Sequence, residues 1–247
     1  MIQIINLHKS FKNKPVLKGV NLEIYDGETV TIMGGSGQGK TVLLKNIIGL
    51  MKPDKGKIII DGIDITTADK KTLHNVQKKF GYLFQGSALF DSMTVYENIA
   101  FGLRHMKLSA AEIKERVKLY LSYVGLEGIE NMYPSELSGG MKKRVALARA
   151  VAYSPQYILY DEPTTGLDPQ TAETITDLIM SLQKKLNVTS IVVTHDLKAA
   201  LKVSQRIAFL YNGEIIDIEQ PDKLLNTSNL FLREFVTSAL INQTNYN

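Results

Sequence analysis

The chain contains no cysteine, which excludes disulfides, thiolate metal sites and iron–sulfur clusters and fits a reducing compartment. No apolar run approaches the ~20 residues a membrane span needs. Low-complexity tracts and tandem repeats are missing too, so neither a linker protein nor a solenoid is expected. The opening residues, Met1-Ile2-Gln3-Ile4-Ile5-Asn6-Leu7, lack a basic n-region and a cleavage site and read as a first strand, not a signal peptide. The formal net charge is +4 and the pI about 9.0, yet lysines are scattered from Lys9 to Lys223 in nothing longer than pairs. That distribution reads as solvation, and no nucleic-acid partner is expected. A soluble, cytoplasmic chain follows, one whose membrane role would come through a partner. With 247 residues, 44% apolar and 22% charged, it has room for one large α/β domain carrying a substantial insert.

What the chain does have is a phosphate-binding signature. Gly34-Gly35-Ser36-Gly37-Gln38-Gly39-Lys40-Thr41 lies between an apolar strand, Val30-Thr31-Ile32-Met33, and an apolar helix starting at Val42. This is the spacing of a P-loop: glycines let backbone N–H groups turn inward around phosphate oxygens, and the helix N-terminus adds its positive dipole end. Lys40 would reach the β- and γ-phosphates of a nucleoside triphosphate, and the Thr41 hydroxyl would ligate Mg²⁺.

Strand-like runs recur over residues 2–7, 20–25, 29–33, 57–61, 81–84, 157–160, 190–194, 206–211 and 214–218. Turn signals separate them, among them Asn212-Gly213, a two-residue connection typical of a hairpin. Between Gln85 and Ala152 helical periodicity dominates, predicting helices over 95–103, 110–124 with Ser109 as N-cap, and 141–152. One α/β core interrupted by a helical insert at about 86–152 is expected, with a core domain over 1–229 and a helical tail over 230–247.

Two further groupings carry chemistry. Tyr157-Ile158-Leu159-Tyr160 leads into Asp161-Glu162, placing two carboxylates at the C-terminal end of a buried strand, where doubly wound sheets bind ligands. Beside a P-loop, Asp161 would hold hydrated Mg²⁺ and Glu162 would act as general base or water-positioner; alone, the pair reads equally as a turn capping the next helix. Leu137-Ser138-Gly139-Gly140-Met141 sets a hydroxyl at a helix start with two glycines that permit close approach. Alone the pentapeptide reads equally as an ordinary capped helix; as a second anion site, it would suit the nucleotide of another chain.

The three motifs, in this order and spacing, resemble the ATPase subunit of ATP-binding-cassette (ABC) transporters, over residues 2 to about 220. The resemblance implies a P-loop NTPase fold of ABC type: a RecA-like α/β core, an antiparallel β subdomain and an inserted helical subdomain. ATP and Mg²⁺ are the implied cofactors. It also implies that Phe11 stacks on adenine, that nucleotide contacts run from Gly34 through Val42, and that Gln85 touches Mg²⁺ and the attacking water. Ser138, Gly139 and Gly140 would bind the γ-phosphate across a dimer, Asp168 would communicate between the two sites, and His195 would contact the γ-phosphate. The catalytic set is then Glu162, His195 and Gln85, and the metal set Thr41, Gln85 and Asp161. Without the resemblance, Phe11 reads as a core aromatic, Gln85 as a polar loop residue, Asp168 as a turn residue before Pro169, and His195 as a residue at a helix start. His8, His74 and His105 have no such context. Met141 stands where glutamine usually follows Ser-Gly-Gly, and Val42 where a second hydroxyl is usual; neither removes a catalytic group.

Within the family, Ala88-Leu89-Phe90-Asp91-Ser92 together with Met141 looks like the subgroup that powers phospholipid transport with MCE-domain proteins, the Mla-type systems. Ala88, Leu89, Phe90 and Met93 would floor the groove that receives a permease helix. The implied partners are a second copy of the chain, a membrane permease, an MCE-domain protein and a small regulatory subunit, with the ATPase peripheral on the cytoplasmic face of the inner membrane. Lipoprotein release or amino-acid uptake shares every catalytic motif. A soluble ABC protein of translation or DNA repair is a further alternative, though such chains carry two cassettes or a long coiled-coil insert. In the tail, Leu230, Phe231, Phe235, Val236, Ala239 and Leu240 mark an apolar face that suits its own domain or a neighbouring subunit.

Overall fold

The computed structural model describes residues 1–12 and 14–224, and beyond them residues 227, 229, 232, 233, 236 and 237. In chain order the elements are β1 (Ile2–Phe11), β2 (Lys14–Ile24), β3 (Thr29–Met33), α1 (Lys40–Ile47), β4 (Lys55–Ile60), β5 (Ile63–Asp64) and α2 (Lys70–Gln77). They continue with β6 (Phe80–Leu83), α3 (Val95–Leu103), α4 (Ala110–Tyr123), α5 (Gly139–Val151), β7 (Tyr157–Asp161) and α6 (Pro169–Leu186). The last are β8 (Thr189–Thr194), α7 (Leu197–Val203), β9 (Arg206–Tyr211), β10 (Glu214–Glu219) and α8 (Pro221–Leu224). They fall into two compact units, one of Met1–Lys78 with Thr189–Asn247 and the other of Lys79–Val188.

In the first unit, β2-β1-β4-β5 form an antiparallel sheet, and β10-β9-β3-β8 lie side by side with β3 parallel to both β8 and β9. Every residue of β3 and β8 is buried, which is why both, Ser190 apart, read as apolar or β-branched runs instead of alternating ones. Lys18 ties the two groups of strands, its N–H donating to Gly213 O at 2.8 Å and its Nζ to Asn212 Oδ1 at 2.9 Å. Asn212 and Gly213 both have positive φ, 51° and 87°, the pattern of a type I′ hairpin turn.

The second strand starts at Lys14, earlier than the expected residue 20, because Gly19 (φ +100°) breaks the alternation while pairing continues to Phe11↔Lys14. Phe11, the last residue of β1, is 43% exposed, so the reading of it as a core aromatic fails. Leu224, Leu232 and Val236 are buried with Met33, Leu197, Ala200, Ile207 and Phe209. Of the expected apolar tail, Val236 therefore packs on its own unit, while Leu230, Phe231, Phe235, Ala239 and Leu240 lie outside the described residues.

The second unit holds a parallel pair, β6 with β7, and helices α3 to α6. Strands β6 and β7 and helix α6 belong to the same compact body as the other helices, and Phe80 stacks on Tyr157 with ring centroids 4.9 Å apart. Capping boxes start α3 (Thr94, Glu97) and α4 (Ser109, Glu112), each satisfying two otherwise orphaned N–H groups. Among the described residues no helix is long and apolar enough to cross a membrane.

Candidate nucleotide site

The phosphate-binding loop runs from the end of β3 into α1. Helices α2 to α7 each begin with a side chain that accepts from an N–H of their first turn: Asp69, Thr94, Ser109, Ser138, Asp168 and Asp196. Helix α1 has Gly39 at that position, in the left-handed region at φ 99°, and no side-chain cap. Its N-terminus thus presents the positive dipole end with no capping side chain over it, the property phosphate recognition requires. Lys40 is buried and its ammonium donates to Gly34 O at 2.8 Å and Gly35 O at 3.0 Å, which fixes the charge against the loop. Gly34 cannot carry a side chain, because a Cβ there would lie 2.3 Å from Leu210 O of β9. Gln38 accepts from Asn212 N at 2.6 Å, so its side chain anchors the loop to the β9–β10 turn.

His195 leaves the sheet beside this loop. Strands β3 and β8 are adjacent and parallel with Met33 opposite Thr194, so Gly34 and His195 emerge at the same end. His195 is exposed, and the next residue, Asp196, caps α7. At the end of β1, the Phe11 ring has the Lys9 ammonium 5.8 Å from its centroid.

In the second unit, β6 and β7 run parallel with Leu83 opposite Tyr160, so exposed Gln85 and the Asp161-Glu162 pair leave at one end. Both carboxylates are buried. Tyr82 donates its hydroxyl to Asp161 Oδ2 at 3.1 Å, and burial, reinforced by the Asp161 charge, pushes the phenol pKa well above its ordinary value, keeping it a neutral donor. Glu162 has φ +48°, a left-handed conformation costing a non-glycine residue roughly 1–2 kcal/mol. Thr165 Oγ1 donates to Glu162 Oε2 at 3.1 Å. Backbone strain of this kind clusters at active sites and switch regions.

Ser138 caps α5, its Oγ accepting from Met141 N at 3.2 Å, which leaves the hydroxyl proton as a donor for a further acceptor. Gly140 has no room for a side chain, since a Cβ would sit 2.6 Å from Thr171 Cγ2. Asp168 is exposed and caps α6, accepting from Thr171 N at 3.0 Å; the bonds from Thr171 hold its carboxyl below the usual range.

Lys143 was not apparent from sequence, where Lys142-Lys143-Arg144 looks like a solvated basic run. It is 4% exposed, and its ammonium donates to the Gln85 carbonyl. Burial pulls its pKa down, while the charges of Asp161 and Glu162 push it up. The legible signal was periodicity: Lys143 shares helical spacing with buried Leu147 and Ala150.

The metal set implied by the resemblance divides between the units, Thr41 in the first and Gln85 and Asp161 in the second, and each offers an oxygen donor of the kind Mg²⁺ takes. Among the described residues no cluster of three or more His, Cys, Asp or Glu could hold a metal ion.

A profile of the ABC transporter family matches residues 17–165. A probable ribonucleotide transport ATP-binding protein, mkl, of Mycobacterium tuberculosis is 40% identical over 241 residues, covering 97% of this chain and 67% of that protein. The methionine import ATP-binding protein MetN 1 of Bacillus cereus is 38% identical, covering 97% and 70%. A dimeric ATP-binding cassette in a post-hydrolysis state with ADP and Pi superposes with a TM-score of 0.82 at 37% identity, covering 90% of this chain and 99% of that one. The chain belongs to the ABC transporter family, with that family's P-loop NTPase fold, and is an Mg²⁺- and ATP-binding ATPase subunit.

Proposed function

We propose that the chain works as a pair on a membrane permease and drives phospholipid transport with an MCE-domain protein. Two ATP molecules are held between the Lys40 side of one copy and the Ser138 side of the other. Their closure drives the permease and hydrolysis resets it. The dimeric assembly of the 37% identical cassette supports the pairing. The names of the relatives, ribonucleotide transport and methionine import, are too varied to select a cargo, and they support transport as such.

Within each site, Lys40 and the α1 N-terminus bind phosphate oxygens, Phe11 stacks on the base, and Thr41, Gln85 and Asp161 hold Mg²⁺. The metal neutralises charge on the phosphates when bound. Glu162 takes a proton from the attacking water as its oxygen bonds to the γ-phosphorus and the bond to the bridging oxygen of ADP breaks. His195 and the partner copy's Ser138 hydroxyl steady the γ-phosphate.

The observation that carries the transport reading is an apolar surface on the second unit. Phe84, Phe90, Phe101 and Met106 are between 37% and 41% exposed, and the Phe90 and Phe101 rings lie 4.9 Å apart. Such a surface, next to Ala88 and Leu89, suits an apolar helix of a permease. The chain then sits peripherally on the membrane's cytoplasmic side. The subgroup rests on Ala88 to Ser92 and Met141. A second reading, amino-acid uptake, has the methionine import relative in its favour.

The test is to purify tagged Glu162→Gln protein from native membranes in mild detergent with Mg²⁺ and ATP and identify the accompanying chains by mass spectrometry. A permease together with an MCE-domain protein is expected. A permease with a solute-binding protein would replace the cargo with a solute, and the absence of any permease would end the transport reading.

A further inference from the structure

Helix α5 grips the segment that follows β6 at two points. Lys143 donates to the Gln85 carbonyl, and Arg149 donates to Ser87 O at 2.9 Å and Ala88 O at 2.8 Å. Ser87 and Ala88 both sit in the left-handed region, φ 62° and 48°, which non-glycine residues hold only when surrounding bonds over-determine it. Arg149 supplies those bonds, and its guanidinium also lies 5.8 Å from the centre of the Phe90 ring. Loop residues 85–88 are thus bound to α5 and not to their own strand alone.

Lys143 does something Arg149 does not: it brings a buried charge to the Asp161-Glu162 pair. An ammonium is costly to bury unless partners compensate it. Here the compensation comes from a main-chain carbonyl at Gln85 and from the field of two adjacent carboxylates. The α5 helix that carries this cation is capped by Ser138, five positions earlier in the chain.

We propose that Lys143 is a positioning residue for ATP hydrolysis: through α5, its charge sets the Gln85 loop and the Asp161 and Glu162 carboxylates in one fixed arrangement with Ser138. Movement of the helix start on engaging nucleotide is thereby passed to the groups that orient the attacking water. The inference rests on the roles proposed for Gln85 and Glu162 and is independent of the cargo.

The experiment is steady-state ATPase kinetics on the full chain with Lys143→Gln, Lys143→Met and Lys143→Arg, each checked by thermal melting. Glutamine keeps an N–H donor for Gln85 O without the charge, methionine keeps only the stem, and arginine keeps the charge. Glutamine and methionine are expected to lower kcat about 10-fold, less than removal of a general base, with the KM for ATP within about 2-fold of the parent, while arginine restores most of the rate. Methionine provides the reading should glutamine fail to fold, since removing a buried charge together with its burial cost is often tolerated. Parental kcat in either neutral variant, a change confined to KM, or an arginine variant as slow as methionine would overturn the proposal. Glu162→Gln run alongside separates the two claims: if that variant turns over normally, the base assignment fails, whatever the Lys143 variants show.

Discussion

Tyr82 and Asp161 sit on adjacent parallel strands, and the phenol donates to the carboxylate at 3.1 Å from a position 8% exposed. A hydrogen bond to a buried charge is worth about 1.5–3 kcal/mol, and its loss leaves the carboxylate less well solvated. Tyr82→Phe is therefore expected to lower stability by about 2 kcal/mol in urea unfolding and to raise the Mg²⁺ concentration needed for half-maximal turnover. A variant unchanged in both would show that the bond does not hold Asp161.

Gly34 and Gly37 differ in a way that a pair of substitutions can read. A Cβ on Gly34 meets Leu210 O at 2.3 Å, whereas one on Gly37 meets nothing within 4 Å although φ is +76°. Gly34→Ala should cost about 1–3 kcal/mol through forced displacement of β9, and Gly37→Ala about 1–2 kcal/mol through backbone strain alone. ATP binding by Gly34→Ala should be lost, because the loop must shift. Comparable ATP affinity in the two variants would contradict the close-approach account.

Ser138 has two jobs that aspartate separates. Aspartate is as good a helix cap as serine but has no proton to donate and adds a negative charge facing phosphate. Ser138→Asp should keep its melting temperature and lose ATP turnover, whereas Ser138→Ala should lose about 1 kcal/mol of stability as well. Full turnover in the aspartate variant would reduce Ser138 to a cap.

For Glu162, replacement by glutamine preserves shape and removes the base. Turnover should fall by on the order of 10²-fold or more with ATP still bound, as measured by equilibrium binding beside single-turnover hydrolysis. Near-normal hydrolysis would remove Glu162 from the base role.

Much of this was legible because it is local. The P-loop, the buried strands β3 and β8, the caps Ser109 and Ser138 and the Asn212-Gly213 turn each declare themselves within a few residues. What escaped depends on distant pairing. Tyr82 and Lys143 gain meaning only when β6, β7 and α5 are packed, and the anchoring of the Gln38 side chain needs Asn212 N beside it. The strand start at Lys14 was hidden by Gly19, which interrupts the alternation without ending the ladder. Asp168 read from sequence as a turn residue, and Pro169 at the first helical position makes it a cap.

The central claim, that each hydrolytic site is completed by a second copy, is tested most directly by measuring ATPase activity per mole of chain across a dilution series whose oligomeric state is followed by light scattering. The account predicts that specific activity falls as the protein becomes monomeric. Specific activity that stays constant down to strictly monomeric solutions would contradict it.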